Sequence, residues 1–461
     1  MPTSTPTLDT GPVAAFRRDG RELAVLAVPL ALTQLAQVAL TTTDTVMMGV
    51  LGVTDLAAGG LALVIFNQLR TMGVGLVTAV GNQIAAASAR TESTDEHARG
   101  EVRELLRAAL ALATLAGAAG AVLMVLIGEA VGLLGQDQAV VDRMRPMLLA
   151  LAPGLLPCLW FQTIRQFTVG LRRPQALLRI TLGSVAVNAA LNWGLIHGSG
   201  PLPRLGLAGI GLATTAVHLL SFLALRAAAR RDPELAPMLT LAAWRARPAT
   251  VRRLLGLGIP IAATYGSEAG FFSVVALVVG SFGSAALAAH TAVNQLVYIV
   301  FQVSVGLSHA ASLGVSRELA RGRPEAARRT ARTALICGAM VMSGVALVYA
   351  TLPRLVLRPF LDGAEGGGAA LDTATGLLLV AAVLQYVDCA QNIGVGLLRG
   401  LDDTRGGFRV TLVGYWLVGL PAAWLLGVTA DLETLGTWCG LFAGLATTAA
   451  LLLRRFHRAL P

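Results

Sequence analysis

Lysine is absent from this chain, and all 36 basic residues are arginine. That bias reads first as the composition of a GC-rich bacterial genome and only then as chemistry. Charge of either sign is scarce, at 13% of 461 residues, against about 25% in an ordinary soluble domain. Cysteine is limited to Cys158, Cys337, Cys389 and Cys439, each inside an apolar run. No disulfide framework and no cysteine metal site follow from such spacing. The six histidines form no HxxxH or HExxH pair, and no P-loop is present, so zinc peptidase chemistry and ATP hydrolysis are excluded. His290 and His309 read as interfacial or packed. A membrane-embedded transferase or protease would need clustered His, Ser/Lys or metal-type acids, and none is found. The chain is expected not to be an enzyme and to need no cofactor.

What the chain has in excess is apolar length. Hydrophobic residues make up 55% of it, and the mean hydropathy is +0.68. Continuous apolar runs of about 20 residues recur, each long enough to cross about 30 Å of hydrocarbon. The runs do not alternate, which excludes a closed β-barrel. The fold class is an all-α polytopic membrane protein with twelve expected spans, near 23–48, 56–84, 105–128, 144–168, 177–197, 206–228, 252–279, 285–313, 332–356, 373–398, 408–428 and 433–454. The 51 glycines suit helices that pack backbone to backbone in lipid.

Arginine position sets the expected orientation. With the N-terminus inside, 30 of the 36 arginines fall in inner segments, and only Arg143, Arg145, Arg204, Arg354 and Arg358 lie outside. The positive-inside rule then places both termini in the cytoplasm. It also accounts for the net charge of +10 without a nucleic-acid partner. Residues 1–20, with Pro2, Pro6 and Pro12, read as a disordered cytoplasmic tail and not as a cleaved signal peptide. Residues 21–228 form an N-lobe of spans 1–6, 229–251 a cytoplasmic linker, 252–455 a C-lobe of spans 7–12, and 456–461 a second tail. The Gly-rich run near 362–370 reads as a flexible outer loop.

The two lobes repeat. Pro29 aligns with Pro260, Gly49 with Gly280, Gly52 with Gly283 and Ala57 with Ala288, all at an offset of 231. Further on, Gln162 aligns with Gln391 at 229, and Arg179 and Thr181 with Arg409 and Thr411 at 230. Six spans per copy make the repeat parallel. Each copy also holds an acid within an apolar run, Asp44 in the first and Glu268 in the second. An acid inside a membrane span is costly and marks a functional site by default, and duplicated apolar halves point to a secondary transporter.

The remaining in-span polar residues fall into stripes. Gln34, Gln37, Thr41 and Asp44 step by 3, 4 and 3 along span 1, so they share a helical face. Gln and Thr there serve equally as helix–helix glue. Thr181, Ser184, Asn188 and Asn192 share a face of span 5; alone they read as structural, but near an acid two amides one turn apart can offer oxygens to a hard cation. Span 7 carries Thr264, Ser267 and Glu268; span 10 carries Gln385, Asp388 and Asn392; span 8 adds Thr291, Asn294, Gln295, Tyr298 and Gln302. If Glu268 and Asp388 converge, their repulsion and burial suit proton coupling, and the ionised pair would suit Na+. Span 2 carries Asn67, Thr71 and Thr78 beside Arg70, the one basic residue deep in a span. Arg70 is read either as an internal ion pair or snorkelling side chain, or as a substrate or counter-ion contact in a central cavity.

With these residues in view, the chain resembles the multidrug and toxic compound extrusion (MATE) family, in its NorM-like branch. The stretch PLALTQLAQVALTTTDTVMMG is similar to that family's opening motif. GIPIAATYGSEAGFFSVVALVVGSFGSAALAAH resembles its seventh span, VNAALNWGLIHG its fifth, and VDCAQNIGVGLLRGLDDTRGGFRVTLVGYWLVGLP its tenth and eleventh. The resemblance implies twelve helices in two lobes around a central cavity, and export of substrate in exchange for Na+ or H+. It places the acidic trio on Asp44, Glu268 and Asp388, and an N-lobe cation site on Asp44, Asn188, Asn192 and Thr214. One position departs from the pattern: a Tyr often found four residues before the tenth-span acid is here Leu384, with Tyr386 two residues on.

The expected function is therefore a Na+- or H+-coupled antiporter in a bacterial inner membrane, acting as a monomer. Its expected substrates are small amphipathic organic compounds, cationic ones among them, with lipid as its surroundings. The alternative is a lipid-linked saccharide flippase, which would favour a strongly basic cavity; only Arg70 speaks for it.

Overall fold

The computed structural model describes residues 12–90, 96–134, 137–198, 203–361 and 367–460. Within them the chain forms twelve long helices and no strand. These are α1 (Pro12–Leu51), α2 (Val53–Arg90), α3 (Glu96–Ala130), α4 (Gln138–Gly170), α5 (Gln175–His197) and α6 (Leu207–Arg231) in the N-lobe. The C-lobe follows with α7 (Pro248–Gly280), α8 (Ser284–Ala320), α9 (Pro324–Thr351), α10 (Gly367–Gly400), α11 (Thr404–Thr429) and α12 (Glu433–Ala459). Eleven of them are long and apolar enough to span a membrane. The exception is α5, whose apolar run is diluted by Thr181, Ser184, Asn188 and Asn192.

Several boundaries differ from those expected. Helix α1 starts at Pro12, so 12–20 of the segment expected to be a disordered tail is helical; residues 1–11 lie outside the described residues. A short amphipathic helix, Pro353–Leu361, follows α9. The expected outer loop near 362–370 falls partly outside the described residues, and Gly367–Ala370 already belong to α10. The linker narrows to 232–247 and carries one short helical turn, Ala243–Arg245. At the C-terminus helical backbone continues to Ala459, inside the expected tail.

The repeat seen in the sequence extends to backbone conformation. Gly52 and Gly283, 231 apart, turn between paired helices with φ of 120° and 111°, where a side chain would be strained. Arg172 and Asp402, 230 apart, both take φ near 60° in the α4–α5 and α10–α11 turns. Thr33 donates to the Pro29 carbonyl at 2.7 Å, and Thr264 to the Pro260 carbonyl at 2.8 Å. Proline removes a backbone donor, and in both lobes a threonine one turn on bonds back to the helix.

The lobes meet through two matched crossings. A Cβ on Gly75 of α2 would lie 2.7 Å from Ala262 Cα of α7, and a Cβ on Gly306 of α8 would lie 2.7 Å from Ala31 N of α1. Both partners of one crossing are shifted by 231 from those of the other. Only hydrogen fits at either glycine, as is usual where helix backbones touch. Polar bonds lock the same half of the molecule. Asn82 donates to Ser312 Oγ at 2.9 Å, Ser316 Oγ to the Asn82 carbonyl at 3.0 Å, and Gln83 Nε2 to Asp402 Oδ1 at 2.7 Å. Arg253 Nη2 in turn donates to Gln83 Oε1 at 2.6 Å. Among the described residues, the hydrogen bonds that join the lobes lie between mid-helix and the Arg-rich end, and the seam is closed there.

Adding bulk at the crossings tests this packing. Gly75→Val and Gly306→Val should each lengthen the distance between spin labels on Ser88 and Arg321, because the lobes can no longer touch. Overpacking of this kind costs about 1–3 kcal/mol. An unchanged distance distribution in both variants would show that the glycines do not set the seam.

Candidate functional site

The stripe on α1 turns its acid into the N-lobe. Asp44 is 1% exposed, and three donors from two other helices converge on it. Asn188 Nδ2 donates to Asp44 Oδ1 at 2.6 Å and Asn192 Nδ2 to the same oxygen at 2.8 Å, both from α5. Thr214 Oγ1 of α6 donates to Oδ2 at 3.1 Å. The i, i+4 spacing of the two asparagines sets both amides on the face that meets α1. With Asp44 ionised these bonds would be charge-assisted, about twice as strong as neutral ones. Both asparagine Oδ1 atoms are buried without a partner. Rotation of each amide would bring two carbonyl oxygens toward the carboxylate, and with Thr214 Oγ1 they form an all-oxygen donor set of the type hard cations take.

A cavity of about 50 Å³ adjoins this cluster. Gln37, Thr41, Asp44, Arg70, Thr214 and His218 line it. Arg70 is half-buried, and its Nε donates to Asn67 Oδ1 at 3.2 Å. Among the described residues no ion pair reaches it, so the structural ion-pair reading of this arginine is not what the side chain does. Gln34 stands on α1 with Asp44 but outside the cavity lining, its Oε1 unpartnered.

In the C-lobe, Glu268 of α7 and Asp388 of α10 lie within Coulombic reach of each other. Asp388 is 3% exposed; its Oδ1 accepts from Asn392 Nδ2 at 3.2 Å, and its Oδ2 is buried without a donor. A third group completes the cluster. Tyr415 Oη of α11 donates to Glu268 Oε1 at 3.3 Å, and its buried ring stacks on Phe271 at 4.8 Å between centroids. Tyr415 lies in a π-helical stretch of α11, Val413–Gly419, a distortion common at functional sites. Next to it Trp416 Nε1 donates to Ser267 Oγ at 2.8 Å.

The other C-lobe candidates do not line the N-lobe cavity. Gln385 is fully buried, with Nε2 donating to the Val297 carbonyl at 3.4 Å. Asn392 serves Asp388. Tyr298 is exposed and stacks on Phe301, and Gln295 is half-buried. His290 is packed, accepting from Trp438 Nε1 at 3.2 Å. All four cysteines are free. Two features escaped the sequence reading. Tyr415 stands in the GYW element of span 11, where an aromatic run gives no sign of which ring turns inward. His218 has no acid or amide stripe around it, and only the fold brings it to the cavity.

The family comparisons agree with this architecture. The MatE family model matches twice, over residues 29–194 and 260–425, so both copies open on the repeat's own prolines. The chain is 38% identical over 442 residues to a "Probable multidrug resistance protein NorM" of Bradyrhizobium diazoefficiens, covering 94% of this chain and 92% of that one. It is 35% identical over 461 residues to a "Multidrug resistance protein NorM" of Burkholderia vietnamiensis, covering 96% and 95%. In fold it matches an outward-facing multidrug resistance MATE transporter of the MOP superfamily with a TM-score of 0.85 at 15% identity, over 99% of both chains. It also matches the eukaryotic MATE transporter AtDTX14 with a TM-score of 0.80 at 20% identity, over 96% of this chain and 98% of that one. With one family model laid twice along most of its length and relatives above 30% identity almost end to end, this chain belongs to the MatE family of multi-pass membrane transporters.

Proposed function

We propose that the protein is a cation-coupled antiporter that exports amphipathic organic compounds, drugs among them, by alternating access. The observation that carries this reading is the Asp44 cluster. A carboxylate 1% exposed within a membrane span is expensive to keep, and here it forms the wall of a cavity together with groups that can also bind a cation. Na+ or H+ binding at Asp44 would release or recruit Asn188, Asn192 and Thr214, and so change how α1 packs on α5 and α6. Pro29, which lacks a backbone donor, gives α1 a place to bend. Glu268, Asp388 and Tyr415 form a second candidate ion site in the C-lobe. The names of the NorM relatives support multidrug efflux as the task.

In this reading the Arg-rich end faces the cytoplasm of a bacterial cell, in its inner membrane, with both termini inside. The seam closed by Gln83, Asp402 and Arg253 is then a cytoplasmic latch, and the opposite half opens outward. The inward-facing state requires that latch to part.

Two experiments test the proposal. In proteoliposomes under an imposed Na+ or proton gradient, Asp44→Asn keeps size and removes charge. It should abolish gradient-driven dye export while the protein stays monodisperse; wild-type export rates in this variant would contradict the coupling role. The latch is tested by Gln83→Ala, which removes hydrogen bonds to Asp402 and Arg253. Bonds to charged groups contribute about 1.5–3 kcal/mol each. In a background with the native cysteines replaced, Ser312→Cys should then react faster with a maleimide supplied at the Arg-rich side. Equal labelling with and without the Gln83→Ala substitution would show that the latch does not hold the seam.

A further inference from the structure

We propose that the N-lobe cavity is a subsite for the anionic end of a substrate, with Arg70 receiving a carboxylate, so that zwitterionic amphiphiles are favoured over purely cationic ones. This deepens the antiporter reading and rests on it. A whole drug needs a pocket of about 300–1,000 Å³, whereas the cavity measures about 50 Å³. It therefore admits one end group, and the question is which.

The two charged residues on its wall differ in what they still lack. Asp44 accepts three hydrogen bonds, on both oxygens. Arg70 has a planar guanidinium with five N–H donors, and one bond to a neutral amide. Its charge cannot be shed by deprotonation, and among the described residues no carboxylate pairs with it. The unanswered electrostatic demand of the cavity is therefore for an anion. A carboxylate meets it best, because two parallel N–H···O bonds match the guanidinium fork. The position 231 residues on is Phe301, so the second lobe holds no counterpart and the preference belongs to the N-lobe alone. A substrate anchored this way leaves its cationic and apolar parts outside the cavity.

The probes are a cationic rhodamine ethyl ester and its zwitterionic parent acid, which share a ring system. Binding to the full-length protein in vesicles without any ion gradient is read by fluorescence anisotropy. The wild type should hold the acid about tenfold tighter than the ester, a difference of about 1.4 kcal/mol. Arg70→Gln should remove that preference by weakening the acid and leaving the ester unchanged. Arg70→Lys, which keeps the charge and loses the fork, should fall between. A wild type without preference for the acid, or parallel losses for both dyes in the variants, would overturn the proposal. The same vesicles under a Na+ or proton gradient report separately on transport. Acid-selective binding without gradient-driven flux would sink the antiporter reading and keep the subsite; flux without acid selectivity would do the reverse.

Discussion

Hydrocarbon offers no hydrogen bonds, so a carboxylate inside the membrane must be supplied with donors by the protein itself. The N-lobe is arranged around that requirement at Asp44. Three helices, α1, α5 and α6, converge because Asn188, Asn192 and Thr214 each complete a bond to one side chain. Helix α5 sacrifices apolar character to do so, which is why it alone among the long helices reads weakly as a span. A helix bundle held by such a cluster is sensitive to anything that competes for the carboxylate. In the proposed mechanism a cation, proton or metal ion, competes in this way, and the same contact would link its binding to helix packing.

The architecture is duplicated but the chemistry is not. Prolines, back-bonding threonines, left-handed turns and the Gly75 and Gly306 crossings recur at offsets of 230 or 231. The acids break the pattern: Asp44 aligns with Val275, and Glu268 aligns with Gln37. Gly314 aligns with Gln83, so the polar latch is also one-sided. Repeated packing gives two lobes that meet at matched crossings, about which the proposed alternating access would rock them. The acids differ between the lobes, so the proposed ion sites differ too, and Arg70 distinguishes the N-lobe cavity further.

Much of this was legible in the sequence because membrane spans constrain composition so strongly. Continuous apolar runs gave the helices, gapless alignment at Pro29 and Pro260 gave the lobes, and the i, i+3, i+4 stripes placed Asp44 and the α5 asparagines on inward faces. What stayed hidden depends on contacts between distant segments. Tyr415 reaches Glu268 through a π-helical distortion that no periodicity announces. Gln83, Asp402 and Arg253 come from three separate helices or turns and look individually like loop-end polar residues. The helical start at Pro12 was masked by prolines and charges that resemble a tail. Arg70 was visible as an anomaly, but only the fold shows that it faces a cavity and that no carboxylate among the described residues pairs with it.

The central claim is that substrate movement and cation movement are obligatorily opposed. The most direct measurement loads proteoliposomes with a rhodamine dye, imposes no ion gradient, and follows internal Na+ and pH while the dye leaves. The account predicts that the dye gradient alone drives one of these cations inward, and that the cation flux stops when the dye has equilibrated. Dye efflux at full rate with neither cation moving would contradict it.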